Sequence, residues 1–184
     1  MQAFPSHIQC YQTMKTEKIL MILRVLAWVI LVGYAINFAS QLFTFGWKVF
    51  HPETFGSTDA TPPRSAQDAL LVYIRVMSFI LVLSGMYVYL WYSVTGLLSR
   101  INLNNPFTAE VAKKLEGIAF VLFNLWVVSM IGHQVNKRIS WDIDASYDIV
   151  QVSTEFLLIA GIVYIISQVY KHGVALQQEQ DLTI

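Results

Sequence analysis

Two oppositely charged side chains, Arg75 and Glu155, each interrupt a long apolar stretch of the sequence. If their helices begin near Ala69 and Ile149, each residue is the seventh of its helix, about 9 Å from the start at about 1.5 Å per residue. This matching depth makes an ion pair between the two helices plausible, because an unpaired charge among apolar groups costs several kcal/mol. Such a pair would mainly fix helix packing. Alternatively, Arg75 extends to lipid headgroups and Glu155 is protonated.

Five further polar residues lie within or beside apolar stretches. Arg24 and Glu116 could meet in the same manner, although extension of Arg24 toward headgroups is the favoured interpretation. Asn37, Asn124 and His133 are expected to hydrogen-bond neighbouring helices rather than a substrate. His133 could respond to pH, but a single histidine is usually an ordinary interface residue.

No motif in the sequence supports catalysis or metal binding. The four histidines and the single cysteine, Cys10, are scattered, and none matches a zinc spacing such as H-E-x-x-H. A serine-hydrolase elbow, a P-loop and a dinucleotide-binding glycine motif are also missing from the sequence. We therefore expect no metal, no cofactor and no enzymatic activity. Twelve basic against twelve acidic residues give zero net charge, which disfavours direct nucleic-acid binding.

The elements that must position these residues are long apolar helices. The 184-residue chain is 55% hydrophobic and only 13% charged, and about 20 apolar residues suffice for a helix to cross a bilayer. Four stretches qualify, which predicts an all-α, integral membrane four-helix bundle in the lipid bilayer, forming a single membrane domain over residues 1–184. The spans are predicted at about 19–47, 69–99, 109–136 and 148–171.

The distribution of basic residues predicts the orientation of these spans. With the N-terminus inside, seven Lys and Arg residues lie on the inner side and five on the outer side. Positive residues favour the cytoplasmic side, and the first helix usually dominates. We therefore expect both termini in the cytoplasm.

The connection before the third span carries a helix-start signal. Pro106 disfavours a helical conformation at Asn105, and Thr108 is a good N-cap residue. Glu110 would then lie in the first turn, where a negative charge suits the helix dipole.

The segment Asn105-Pro106-Phe107-Thr108 and the C-terminal segment from Gly173 to Ile184 carry a family resemblance. The chain resembles the bacterial membrane proteins grouped as domain of unknown function 2975, with similarity from the first span to the last residue. The resemblance implies four spans and a bacterial cytoplasmic membrane. Genes of that family often lie beside genes for helix-turn-helix regulators, which implies such a regulatory protein as a partner.

The C-terminal residues Glu179, Asp181, Leu182 and Ile184 allow two interpretations. They are either a frayed helix end, as at many termini, or an extended anchor for a partner or for the Asn105–Thr108 segment. Composition favours the first interpretation and the resemblance favours the second, so both stay open.

The favoured functional hypothesis is a non-enzymatic membrane anchor or sensor. Its cytoplasmic face, formed by the inner loop from Asn102 to Lys114 and the tail from Gly173 to Ile184, would bind a small regulatory protein. The alternative is a small transporter, channel or immunity-type membrane protein with a polar path through Arg75, Glu155, Asn124 and His133. Self-association into a homo-oligomer is left open.

Overall fold

The architecture is taken from a computed structural model of the chain. It describes the backbone of residues 6–51, 66–101, 108–139 and 155–181. Side chains are described over residues 17–51, 70–71, 73–101, 108–135 and 155–180.

Four long helices make up the described part of the chain. They are α1 (Ser6–Phe50), α2 (Ala66–Arg100), α3 (Ala109–Ile139) and α4 (Glu155–Asp181). Each contains a stretch long and apolar enough to cross a membrane. The prediction of an all-α fold with four membrane-length helices is confirmed.

The start of α3 shows the predicted cap. The backbone N–H of Val111 donates to Thr108 Oγ1 at 3.3 Å, which satisfies one of the amide groups left unpaired at a helix start. Glu110 lies in the first turn, where its charge favours the helix dipole. This boundary is set by local sequence alone.

The helices pack in chain order. In the described part of the chain α1 packs against α2, α2 against α3, and α3 against α4, and α1 touches neither α3 nor α4. Within the described residues α1 therefore lies at one edge of the bundle, against α2, while α2, α3 and α4 share a core. Consecutive helices alternate in direction, so the start of α1, the end of α2, the start of α3 and the end of α4 share one end of the molecule.

The apolar core lies around α3. Its buried members come from α2, α3 and α4. They are Leu90, Ile118, Val121, Leu122, Leu125 and Ala160. Between α1 and α2, Ala27 and Leu31 of α1 are buried. Beside them Tyr34 stacks on Tyr87 and Trp91, with ring centroids 5.4 and 6.4 Å apart. Such stacked pairs stabilise a contact beyond the area they bury.

Candidate functional site

Polar contacts between helices concentrate at the end of the molecule where α2 finishes and α3 starts. We call this the terminal rim. Helices α1 and α4 continue past it, since α1 begins at Ser6, 18 residues before Arg24, and α4 ends at Asp181, ten residues after Lys171. The members of the rim are Arg24, Leu98, Arg100, Glu110, Lys114, Glu116 and Lys171. Four of these residues are cationic and two are carboxylates, so the rim carries a positive excess.

Arg24 connects α1 to α2 at the terminal rim. Its Nη2 donates to the backbone carbonyl oxygen of Leu98 at 3.1 Å. The last carbonyls of a helix have no partner within the helix and attract a cation. The suggested contact between Arg24 and Glu116 is not formed: among the described residues α1 packs on α2 and not on α3, and Glu116 pairs with Lys171.

Glu116 instead connects α3 to α4. Its Oε1 accepts a hydrogen bond from Lys171 Nζ at 2.9 Å. Both side chains are a little under half exposed, so water and headgroups can reach them. An ion pair at such a site contributes about 0–1 kcal/mol. It orients the end of α4 more than it stabilises the fold.

Two contacts connect α2 to α3 at the terminal rim. Arg100 pairs with Glu110 across the connection between the helices. Lys114 extends over α2, so that a Cβ atom at Gly96 would lie 3.3 Å from Lys114 Nζ. Because Gly96 has no side chain, the Lys114 ammonium group can lie against α2 at this position. Together with the previous two contacts, the rim joins all four helices.

The structure does not bring Arg75 and Glu155 together. Both side chains are exposed, and no ion pair joins them within the described ranges. Phe156, next to Glu155, meets α2 at Tyr87, with ring centroids 6.0 Å apart, and Tyr87 lies about three turns beyond Arg75. Arg75 and Glu155 do not lie at the same depth, in part because α2 begins at Ala66, three residues before the predicted start.

The other intramembrane candidates are also separate from one another. Asn124 Nδ2 donates to the Phe120 carbonyl of its own helix at 2.7 Å, rather than to a neighbouring helix. His133 is exposed near the far end of α3. No polar path through Arg75, Glu155, Asn124 and His133 exists in the part of the chain that the structure describes.

Asn37 accepts a hydrogen bond from Gln41 of its own helix rather than from a neighbouring helix, and Gln41 makes an interhelical contact that the sequence did not predict. Ser84 Oγ on α2 donates to Gln41 Oε1 at 2.6 Å, and Gln41 Nε2 donates to Asn37 Oδ1 at 2.7 Å. The sequence did contain a signal for this network: Asn37 and Gln41 lie one turn apart on an apolar helix, so their side chains can bond to each other. Ser84 gave none, because serine is common in membrane helices and often bonds to its own backbone.

The candidate partner-binding residues are only partly described. Thr108 caps α3, as shown above, and α4 continues as helix through Glu179 to Asp181. Asn105, Pro106, Phe107, Leu182 and Ile184 lie outside the described residues, so the extended-anchor interpretation stays a prediction.

Metal binding finds no geometric support among the described side chains. No three His, Cys, Asp or Glu residues gather there closely enough to hold an ion. The expectation that the protein needs no metal or cofactor stays a prediction.

Comparison with known proteins gives one family. The sequence profile described as "Protein of unknown function (DUF2975)" matches residues 58–184. This region covers α2, α3 and α4 and leaves α1 outside, so the match is shorter than the similarity expected from the first span onward. No curated protein and no solved structure matches the chain. Because the match covers more than half of the sequence, this membrane protein belongs to the DUF2975 family.

Proposed function

We propose that the protein is a non-enzymatic membrane anchor or sensor that binds a small regulatory protein at its terminal rim and at the exposed end of α4. One observation carries the proposal: the terminal rim joins all four helices through polar side chains, so a partner bound there contacts every helix at once. The proposal places this end in the cytoplasm, as the bias of basic residues predicts.

The end of α4 supplies the second part of the proposed surface. Between Lys171 and Asp181 the helix extends about 15 Å beyond the ion pair with Glu116. Leu176 is 62% exposed on this segment, among the polar residues Gln177, Gln178 and Glu179. A leucine on an exposed helix that has left the apolar core is a typical anchor for a partner groove.

Charge also favours this surface for a protein partner. The rim itself, apart from the acidic residues Glu179 and Asp181 at the end of α4, carries a positive excess that fits an acidic patch on the partner and would speed association with it. A helix-turn-helix regulator, which the family resemblance implies, would have to offer such a patch away from its own basic DNA-binding helix.

The test is capture of co-purifying proteins from detergent by two variants with the same substitution on the same helix. Leu176→Ala removes the proposed anchor, whereas Leu158→Ala changes an equally exposed leucine (65%) near the other end of α4. We expect Leu176→Ala to reduce capture of the regulatory protein by about fivefold or more, and Leu158→Ala to leave it unchanged. Equal capture by both variants, or reporter fusions that place the C-terminus outside, contradicts the proposal.

The rival class of transporter or channel requires polar side chains around a cavity at mid-depth. Proteoliposome flux that is lost in the double variant Arg75→Ala and Glu155→Ala, and kept in Leu176→Ala, would favour this class instead.

A further inference from the structure

The hydrogen-bond network between α1 and α2 ends at Asn37, whose carboxamide has a partner among the described residues for only one of its two polar atoms. Ser84 donates to Gln41 and Gln41 donates to Asn37, which uses the carbonyl half of the Asn37 carboxamide. Its amino half has no acceptor among the described side chains and backbone. If both amides are assigned the other way round, the carbonyl half is left over instead. Either assignment leaves Asn37 half satisfied.

Asn37 lies where an unpaired amide is most costly. The charge-free stretch of α1 runs from Val25 to Trp47, with twelve residues before Asn37 and ten after it. This places Asn37 within a few ångströms of the bilayer centre, where water is not available to complete its hydrogen bonds. Its side chain is exposed on the surface of the bundle, so the missing partner must come from outside the described part of this chain.

The surface around Asn37 is suited to another helix. Gly33, Asn37, Ser40 and Thr44 fall within about 60° of one another around the helix axis, and all four are exposed. A Cβ atom added at Gly33 would meet nothing within 4 Å. Thr44 Oγ1 bonds to the Ser40 carbonyl of its own helix, so that hydroxyl is already satisfied. We call these four residues the α1 stripe. Small side chains permit the close backbone approach that stabilises helix pairs in lipid.

We infer that a second copy of this chain covers the α1 stripe, with the two α1 helices parallel and Asn37 bonded to Asn37 of the other copy. Copies inserted in one membrane share their orientation, so a two-fold axis along the membrane normal places the same residue at the same depth. A carboxamide is both donor and acceptor, and therefore complements itself across that axis. A lipid chain offers no hydrogen-bonding group at this depth. This interface is separate from the terminal rim and does not depend on the proposed function.

Cysteine cross-linking in native membranes tests the interface. Cys10→Ser removes the single cysteine, and Ser40→Cys or Leu42→Cys then adds one at nearly the same depth. Ser40 belongs to the α1 stripe, whereas Leu42 is exposed on another side of the helix. We expect oxidation to give a product of twice the chain mass for Ser40→Cys and little for Leu42→Cys. Equal products at both positions, or a product of another mass, overturns the inference.

Asn37 itself is tested in the Ser40→Cys background. We expect Asn37→Leu to lower the cross-linked fraction roughly threefold to tenfold, as the loss of one interhelical hydrogen bond in lipid predicts. Asn37→Gln keeps the carboxamide and should retain more of the cross-link. The matched control is Asn124→Leu, because Asn124 bonds to its own helix. If Asn37→Leu, shown to fold by an unchanged elution profile and helix content, cross-links as well as Asn124→Leu, the Asn37 pair is wrong.

Discussion

Helices α1 and α3 are both apolar and membrane-length, yet they are packed very differently. In the most apolar stretch of α3, 39% of the residues are buried, against 6% in α1. Helix α3 contacts both α2 and α4, whereas α1 contacts α2 alone within the described residues. The more hydrophobic of the two is thus the less buried.

This difference shows that hydrophobicity and burial are separate quantities when lipid is the solvent. Lipid tails are as apolar as leucine, so an exposed apolar face carries no penalty. What distinguishes α3 is close packing, which gains dispersion energy that lipid does not fully replace. Helix α1 is held by the buried residues Ala27 and Leu31, by aromatic stacking, and by the hydrogen bonds from Arg24 to Leu98 and from Ser84 to Gln41.

The largest expected effect is from a cavity on α3. Leu125 is 1% exposed within the core, and Leu26 on α1 is 53% exposed. We expect Leu125→Ala to lower the free energy of unfolding by about 2–4 kcal/mol, and Leu26→Ala to change it little. Denaturation in mixed micelles measures both. Equal effects would abolish the distinction between the two helices.

A smaller effect is expected from overfilling the contact between α3 and α4. Ser167 on α4 is fully buried, with its hydroxyl bonded to the Tyr164 carbonyl. Because there is no room for a larger side chain, Ser167→Leu should cost about 1–3 kcal/mol. Ser78→Leu, at an exposed serine of α2, should cost almost nothing in the same denaturation measurement. A tolerated Ser167→Leu would mean that α4 packs as loosely as α1.

The smallest effect is expected where α1 joins α2. Ser84→Ala removes the interhelical hydrogen bond to Gln41 and should cost about 0.6 kcal/mol. The control is Ser78→Ala, since the Ser78 hydroxyl bonds to the Arg75 carbonyl of its own helix. A loss above about 2 kcal/mol, relative to Ser78→Ala, would show that α1 is anchored more firmly than its exposure suggests.

Sequence reasoning succeeded where the cause is local. Helix length and hydropathy determine the four candidate spans, and the Thr108 cap needs only its own neighbours. Sequence reasoning failed for pairs of polar residues in different helices, because the depth of a residue does not say which side of its helix it occupies. Glu116 faces α4 and Lys171, while Arg24 faces α2. The link from Gln41 to Ser84 depends on how α1 and α2 are rotated about their axes, which no local pattern encodes.

The unbroken course of α4 has a mechanical consequence. Helix α4 runs without a break from Glu155 through the apolar core to Asp181. The ion pair between Lys171 and Glu116 joins it to α3. Any axial shift or tilt of this helix in the bilayer would also move its end at Asp181, because the helix is continuous between them. The end of α4 is thus coupled directly to the depth and tilt of its apolar stretch.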